Sequence, residues 1–191
     1  MNTKENNFIS AVVYLHNDGA RAVEFCRMLA GALDAHFQQY EIVAVDDACT
    51  DDTVEQLRAW GRGQGAPLTI LHMSLYHGVE NAMNAGLDAA IGDYVYEFDA
   101  AALPCAPELV FAAYQKALEG NDIVSVCPET SRSRLFYALF NANSRSPYRL
   151  RTDVFRLVTR RAINRVHATS AHLPYRKAAY AASGLKMADL T

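Results

Sequence analysis

The stretch YEIVAVDDACTDDT, residues 40–53, joins an apolar, β-branched run to an acid-rich turn. Residues 40–47 favour a buried strand, because isoleucine and valine suit the pleated interior of a sheet. Residues 49–63 have helical spacing, with acids in the first turn and Thr50 as a candidate N-cap. A strand that leads directly into a helix is the repeating unit of α/β folds.

The same alternation continues on both sides of this stretch. The predicted strands are residues 8–15, 40–47, 67–73, 93–100 and 121–127, and the predicted helices are residues 22–37, 49–63, 78–92 and 106–120. Strands that alternate with helices of this length form βαβ units. The sequence therefore predicts an α/β fold, with a mostly parallel sheet and helices on both faces.

Polar residues stand where the predicted strands end. They are His16, Asn17 and Asp18 after the first strand, Asp46 and Asp47 at the end of the second, and Asp99 near the end of the fourth. Ligands of open α/β sheets bind beyond the carboxyl ends of the strands. We therefore expect Asp18, Asp47 and Asp99 to line one sheet edge, where carboxylates suit a metal, a base or a sugar hydroxyl. A dinucleotide or Walker A phosphate site is disfavoured, because neither glycine motif is present.

The composition is that of a folded domain with an uneven distribution of charge. The 191 residues are 51% hydrophobic, and no apolar run approaches the roughly 20 residues of a membrane span. The four cysteines are scattered, which is typical of reduced thiols in a cytoplasmic protein. Residues 1–129 hold 6 Lys/Arg and 19 Asp/Glu, whereas residues 130–191 hold 12 and 2. An arginine-rich end favours a phosphate-bearing ligand or an anionic membrane surface, although most of these arginines are expected to be simply solvated.

Four segments resemble those of family 2 glycosyltransferases in order and spacing. Within that family they resemble the dolichyl-phosphate mannose synthase-like branch. They are SAVVYLHND (10–18), YEIVAVDDACTDDT (40–53), GVENAMNAGLDAAIGDYVYEFDA (78–100) and DVFRLVTRRAINRV (153–166). The resemblance covers roughly residues 8–188 and implies a Rossmann-like nucleotide-diphospho-sugar transferase (GT-A) fold. It implies one domain over residues 1–191, with a nucleotide-binding part (1–129) and a basic acceptor-side part (130–191).

The resemblance also implies roles for individual residues. The implied nucleotide-binding residues are His16, Asn17, Asp18, Asp46, Asp47 and Gly78, with one of the paired aspartates accepting a hydrogen bond from the base. Arg156 matches the arginine of an F-R-L signature and is expected to hold phosphate, with an ion pair to Asp153 or Asp99 as the alternative. Asp153 is a candidate catalytic base, although the family's acid aligns with Val154, one place later.

The metal motif is incomplete. Asp99 matches the first acid of the family's D-x-D pair, and Ala101 stands at the second. A hard cation such as Mg²⁺ or Mn²⁺ wants about six ligands, so we expect binding at Asp99 to be weak and to depend on the pyrophosphate of a bound nucleotide. Ala101→Asp is then expected to strengthen such binding. Glu97 shares a strand face with Asp99 and is expected to pair with an arginine rather than to bind metal.

Two functions follow from the resemblance. The first is an inverting transferase that moves a sugar from a UDP- or GDP-sugar to a polyprenyl-phosphate or glycan acceptor in cell-surface polysaccharide synthesis. Such an enzyme is expected in the cytoplasm, in peripheral contact with the inner face of the membrane, and with no nucleic-acid partner. The second is a catalytically degenerate relative that serves as a nucleotide-binding or scaffold protein. Asp46, Asp47, Asp99 and Arg156 favour the first, whereas Ala101, Val79 and Val154 favour the second; the donor sugar, the acceptor and the oligomeric state stay open.

Overall fold

The computed structural model describes residues 4–102, 107–128, 134–143, 148–169 and 173–191. Within these ranges the strands are β1 (Ile9–Leu15), β2 (Tyr40–Asp47), β3 (Leu68–Met73), β4 (Tyr94–Phe98), β5 (Ile123–Val126), β6 (Phe155–Thr159) and β7 (Met187–Leu190). The helices are α1 (Ala20–His36), α2 (Thr53–Gln64), α3 (Val79–Ala89), α4 (Glu108–Leu118), α5 (Arg134–Asn143), α6 (Arg160–His167) and α7 (Arg176–Ala182). Among the described residues, no helix combines the length and the apolar character needed to cross a bilayer.

The seven strands form one sheet in the order β3-β2-β1-β4-β6-β5-β7. The first four strands pair in parallel, and β7 is parallel to β5. Strand β6 runs antiparallel to both of its neighbours, β4 and β5. The predicted mostly parallel sheet is confirmed, but β6 was not among the predicted strands. Strand β6 places residues of the basic part (130–191) in the middle of the sheet. The strands that precede it in the chain come from the acidic part (1–129).

The core lies on both faces of the sheet. Alternate residues of β1 point to opposite faces, so that Ala11 and Val13 pack in one buried cluster and Val12 packs in the other. Residues of α1, α2 and α4 cover the first cluster, and residues of α3, α6 and α7 cover the second. This arrangement confirms the helices on both faces.

The start of α2 differs from the prediction. The helix begins at Thr53, so Thr50 is not its N-cap. The backbone N–H of Thr50 instead donates to Asn17 Oδ1 at 2.8 Å, which ties the loop after β2 to the loop after β1. The predicted cap was wrong because the acids that follow Thr50 belong to a loop and not to the first helical turn.

Helix α3 packs on the sheet through a glycine. A Cβ at Gly86 would lie 2.4 Å from Val12 Cγ1 and 2.7 Å from Val45 Cγ2, both closer than carbon atoms approach. The missing side chain therefore allows α3 to lie directly on β1 and β2. This packing places the beginning of α3 at the carboxyl edge of the sheet.

Gly86→Ala is expected to destabilise the protein even though alanine is the better helix former. Helix propensity favours the change by about 1 kcal/mol, but overpacking the core costs about 1–3 kcal/mol. We expect a lower free energy of unfolding in urea, with α3 displaced from the sheet. Gly31→Ala in α1 is the matched control, because a Cβ there meets no atom within 4 Å, and it should stabilise the protein by about 0.5–1 kcal/mol. Stabilisation by both changes would contradict this account of the α3 packing.

Candidate functional site

The loops that follow β1, β2 and β3 meet at the carboxyl edge of the sheet. The His16 ring donates through Nδ1 to the Asp47 carbonyl at 2.7 Å, and Asn17 Oδ1 accepts from the Thr50 N–H. Asp47 in turn accepts from the backbone N–H of Gly78, at 2.8 Å. Strand β4 is parallel to β1 and also ends at this edge, just before Asp99. The structure therefore brings the predicted nucleotide-binding residues together with Asp99 at one edge.

Asp47 is the buried anchor of these loops. Its side chain has no exposed surface, and it accepts hydrogen bonds from the Tyr14 hydroxyl at 3.0 Å and from the backbone N–H groups of His77 and Gly78 at 2.8 Å each. Burial and the hydrogen bond to Asp47 raise the pKa of Tyr14 well above its ordinary value, so this hydroxyl stays a donor. The Asp47 carboxylate thus holds in place the residues that lead into α3.

Asp46 is also engaged by groups of the protein. It is 6% exposed and accepts from the Cys49 N–H at 2.8 Å and from His72 Nδ1 at 2.7 Å. Burial raises the pKa of Asp46, but the hydrogen bonds from Cys49 and His72 outweigh it, and the pKa lies below its ordinary value. Both paired aspartates therefore serve as loop anchors, and the hydrogen bond that one of them accepts from a base stays a prediction.

The loop after β1 presents the exposed part of this edge. Asn17 adopts a left-handed backbone with φ 58°, and Asp18 accepts the His16 N–H at 3.0 Å and forms an ion pair with Arg21 at 2.5 Å. The His16 ring lies 4.8 Å from the ring of Tyr76, which is 64% exposed. An exposed aromatic ring beside a polar loop suits a flat, hydrogen-bonding ligand.

A network of charged side chains fills the space beside Asp99. Arg156 donates to Glu97 and Asp99 at 2.7 Å each and to Asp153 at 3.0 Å. Arg176, from α7, donates to the same Glu97 at 3.1 Å and also binds Asp99. The predicted arginine partner of Glu97 is confirmed. For Arg156, the ion pairs to Asp153 and Asp99 that were the alternative to phosphate binding are both present.

Burial and pairing limit the chemistry of Arg156 and Asp153. Arg156 is 3% exposed and all three of its nitrogens donate to carboxylates. Burial raises the pKa of Asp153, but Arg156 and Lys177 outweigh it and hold the pKa below its ordinary value. A carboxylate of lowered pKa is a weak proton acceptor. The roles of Arg156 in phosphate binding and of Asp153 as a base therefore stay predictions, and this geometry does not favour them.

Three residues of α7 escaped the sequence analysis. Arg176 and Lys177 are buried and paired with Asp99 and Asp153, and the Tyr180 hydroxyl donates to Glu97. The available signal was RKAAYAA, a short helix whose two charged residues stand together in an otherwise uncharged sequence. That pattern alone does not say which carboxylates the basic residues meet, because their partners lie up to 96 positions away.

The residues present do not fit a divalent cation. Asp99 Oδ1 is bound by Arg176 and Oδ2 by Arg156. Ala101, at the position of the family's second acid, is 1% exposed and packs in the core. In the part of the chain that the structure describes, no three His, Cys, Asp or Glu side chains are placed to hold a metal.

Solved structures of other proteins share the fold described above. The fold is the nucleotide-diphospho-sugar transferase (GT-A) fold. A mannosyltransferase, PcManGT from Pyrobaculum calidifontis in complex with GDP-Man and Mn²⁺, has a TM-score of 0.72 at 22% identity, over 97% of this chain and 55% of the other. S. aureus TarS 1–349 in complex with UDP-GlcNAc has a TM-score of 0.69 at 15% identity, over 95% of this chain and 55% of the other.

The chain belongs to glycosyl transferase family 2, whose family model matches residues 10–181. An undecaprenyl-phosphate 4-deoxy-4-formamido-L-arabinose transferase of Edwardsiella ictaluri is 27% identical over 182 residues, covering 90% of this chain and 56% of the relative. The transferase of the same name from Aeromonas hydrophila is 28% identical over 124 residues, covering 65% of this chain and 38% of the relative. The chain thus spans about half the length, or less, of these curated relatives.

Neutralising Glu97 is expected to destabilise the protein strongly. Glu97→Gln leaves Arg156 and Arg176 buried with one carboxylate fewer, and breaking a buried ion pair from one side costs about 3–5 kcal/mol. Urea denaturation should show this loss. The control is Asp34→Asn, which breaks the exposed Lys4–Asp34 pair of 3.2 Å and should change stability by less than about 1 kcal/mol. Similar small effects of the two changes would show that the network is not a stabilising unit.

Because Ala101 is buried, we expect Ala101→Asp to destabilise the protein and not to strengthen a cation site. A carboxylate at a position that is 1% exposed would be desolvated without a partner, and we expect the variant to lose about 3 kcal/mol or more of its stability. Ala102→Asp is the control, because Ala102 is exposed. The two variants are compared by thermal unfolding with and without Mn²⁺. A stable Ala101→Asp protein that Mn²⁺ stabilises further would show that our reading of position 101 is wrong.

Proposed function

We propose that this chain is the donor-binding domain of an inverting glycosyltransferase. It takes a UDP- or GDP-sugar and transfers the sugar to a polyprenyl phosphate or glycan in cell-surface polysaccharide synthesis. It acts in the cytoplasm, in peripheral contact with the inner face of the membrane. The relatives named for undecaprenyl-phosphate arabinose transfer and the solved structures with GDP-Man or UDP-GlcNAc support this class of reaction.

One observation carries the proposal: the loops after β1, β2 and β3 are joined into a preorganised edge next to the end of β4. The side chains of Asp47 and Asn17 hold these loops by accepting six hydrogen bonds from groups of other residues. A site whose polar groups are fixed before the ligand arrives pays little ordering entropy on binding. The exposed Tyr76 ring beside His16 is the proposed stacking surface for the base, with Asn17 and Asp18 next to it.

The acceptor side lies on the segment that leads into β6. Because β6 runs antiparallel, its first residue also lies at the carboxyl edge, and the exposed Arg149 and Arg151 precede it. Arginines suit the phosphate of a polyprenyl acceptor. An acceptor phosphate oxygen would attack the anomeric carbon while the bond from that carbon to the nucleotide diphosphate breaks. A phosphate acceptor is already anionic, so the low basicity of Asp153 is compatible with this reaction.

The pairing of Asp99 with two arginines favours a second candidate function. Both of its oxygens bind arginine, and the position of the family's second acid is buried alanine. A protein with this site could bind a nucleotide without turnover, as a degenerate relative with a binding or scaffold role. The prediction of weak, nucleotide-dependent Mg²⁺ or Mn²⁺ binding stays open, and the charge arrangement argues against it.

Nucleotide binding is the first test. We expect UDP, GDP or one of their sugars to raise the melting temperature, and Tyr76→Ala to weaken that ligand roughly tenfold by calorimetry, since loss of a base–aromatic stack costs about 1–3 kcal/mol. Leu118→Ala is the control, because Leu118 is also an exposed hydrophobic residue, 51% accessible, but it ends α4 near the start of β5 at the opposite sheet edge. Unchanged affinity in the Tyr76 variant would remove the stacking assignment.

Transfer is the second test and separates the two candidate functions. The nucleotide-sugar that binds is incubated with polyprenyl phosphate in detergent, and radiolabelled sugar is followed into the lipid phase. Labelled lipid supports the transferase. Binding without labelled lipid or released nucleotide diphosphate favours the degenerate reading, and absence of binding by every UDP and GDP compound would contradict both.

A further inference from the structure

The guanidinium of Arg176 lies in a cage of three carboxylates. Its nitrogens donate to Glu80 Oε2 at 2.8 Å, to Glu97 Oε2 at 3.1 Å and to Asp99 Oδ1. The Arg176 side chain has no exposed surface, although its partner Asp99 is 36% exposed at the sheet edge. The cage draws its oxygens from α3 and from the end of β4, so the guanidinium joins three elements of the fold.

The charge at this point equals that of a divalent cation. Arg156 and Arg176 together carry two positive charges, and they occupy both oxygens of Asp99 and share one oxygen of Glu97. The carboxylate oxygens of Glu80, Glu97 and Asp99 are of the hard kind that Mg²⁺ and Mn²⁺ prefer as ligands. Arginine stays protonated in proteins, so this internal cation persists at any pH at which the protein is folded.

A metal ion would have to expel a buried guanidinium to reach these oxygens. Arg176 also donates to the backbone carbonyls of Val79 and Glu80, so that its displacement breaks further hydrogen bonds at the beginning of α3. The expelled charge would need new partners inside the protein. The competition therefore favours the arginine that is covalently part of the chain, since its effective concentration in the cage is high.

We propose that the Arg176 guanidinium, with Arg156 beside it, takes the place of a divalent cation at Asp99. The wild-type chain accordingly binds no Mn²⁺ at this edge. Removal of the Arg176 side chain leaves the carboxylates of Glu80, Glu97 and Asp99 without this cation. They are not placed to hold a metal in the present structure, and without Arg176 they can close around Mn²⁺. This inference concerns the cation alone and goes beyond the proposed function, so a protein that fails to bind nucleotides would not decide it.

Direct titration with Mn²⁺ tests the inference. The electron paramagnetic resonance signal of free aqueous Mn²⁺ is recorded with increasing wild-type or Arg176→Ala protein, both checked for folding by circular dichroism. We expect the wild type to leave the signal unchanged and the variant to remove about one free Mn²⁺ per chain from it. Mn²⁺ should also raise the melting temperature of the variant alone.

Matched variants separate the cage from a general loss of positive charge. Arg176→Lys keeps a cation in the cage and should not bind Mn²⁺, and Arg161→Ala frees only Asp122 from its 2.6 Å ion pair and should not bind it either. Adding Asp99→Asn to Arg176→Ala should abolish the new site. A folded Arg176→Ala protein that takes up no Mn²⁺ overturns the proposal, as does binding that survives the Asp99 change.

A wild-type measurement decides the case even if the variant does not fold. Arg176→Met, which keeps most of the side-chain volume, provides a second folded candidate. If neither variant folds, wild-type protein is compared with Asp99→Asn alone. Mn²⁺ binding by the wild type that Asp99→Asn removes would overturn the proposal, and equal signals from the two proteins would support it.

Discussion

A carboxylate with no exposed surface, that of Glu97, determines how this half of the sheet must assemble. One of its oxygens accepts from Arg156 and Arg176, and the other accepts from the Tyr180 hydroxyl. A buried charge without partners costs several kcal/mol. Strands β4 and β6 and helix α7 therefore have to be present together, and the last helices of the chain are part of the core and not an appendage to it.

Asp47, like Glu97, is a buried carboxylate that holds separate parts of the fold together. It is fully buried and holds the loop before α3 through backbone N–H groups, while Asn17 joins the loops after β1 and β2. Asp47, one of the two acids of the VDD motif, thus has a structural task, whether or not a nucleotide binds. The anchored loops carry exposed groups, among them Asn17 and Tyr76.

Some of the opposite charges of the two parts of the sequence meet in the fold. Arg156 and Arg176 neutralise Glu97 and Asp99, and the side chain of Arg161 binds Asp122. The arginines of the basic part are therefore of two kinds. Some are internal counter-ions of the acidic part, and others, such as Arg149, are exposed. Sequence composition gives the total number of arginines but does not show which of them are internal counter-ions and which are exposed.

The alternating strands and helices from β1 to β5, the acids at the strand ends and the family could all be predicted from the order of residues, because periodicity and motif spacing are properties of neighbouring residues. The folded structure was needed to show that the five-residue strand FRLVT enters the sheet antiparallel, which places Arg156 opposite Glu97. It alone decided that Asp99 meets Arg176, 77 positions later, and that Ala101 faces the core. The physical reason is that desolvation makes a buried charge depend on whatever the fold packs against it, and no local pattern records that partner.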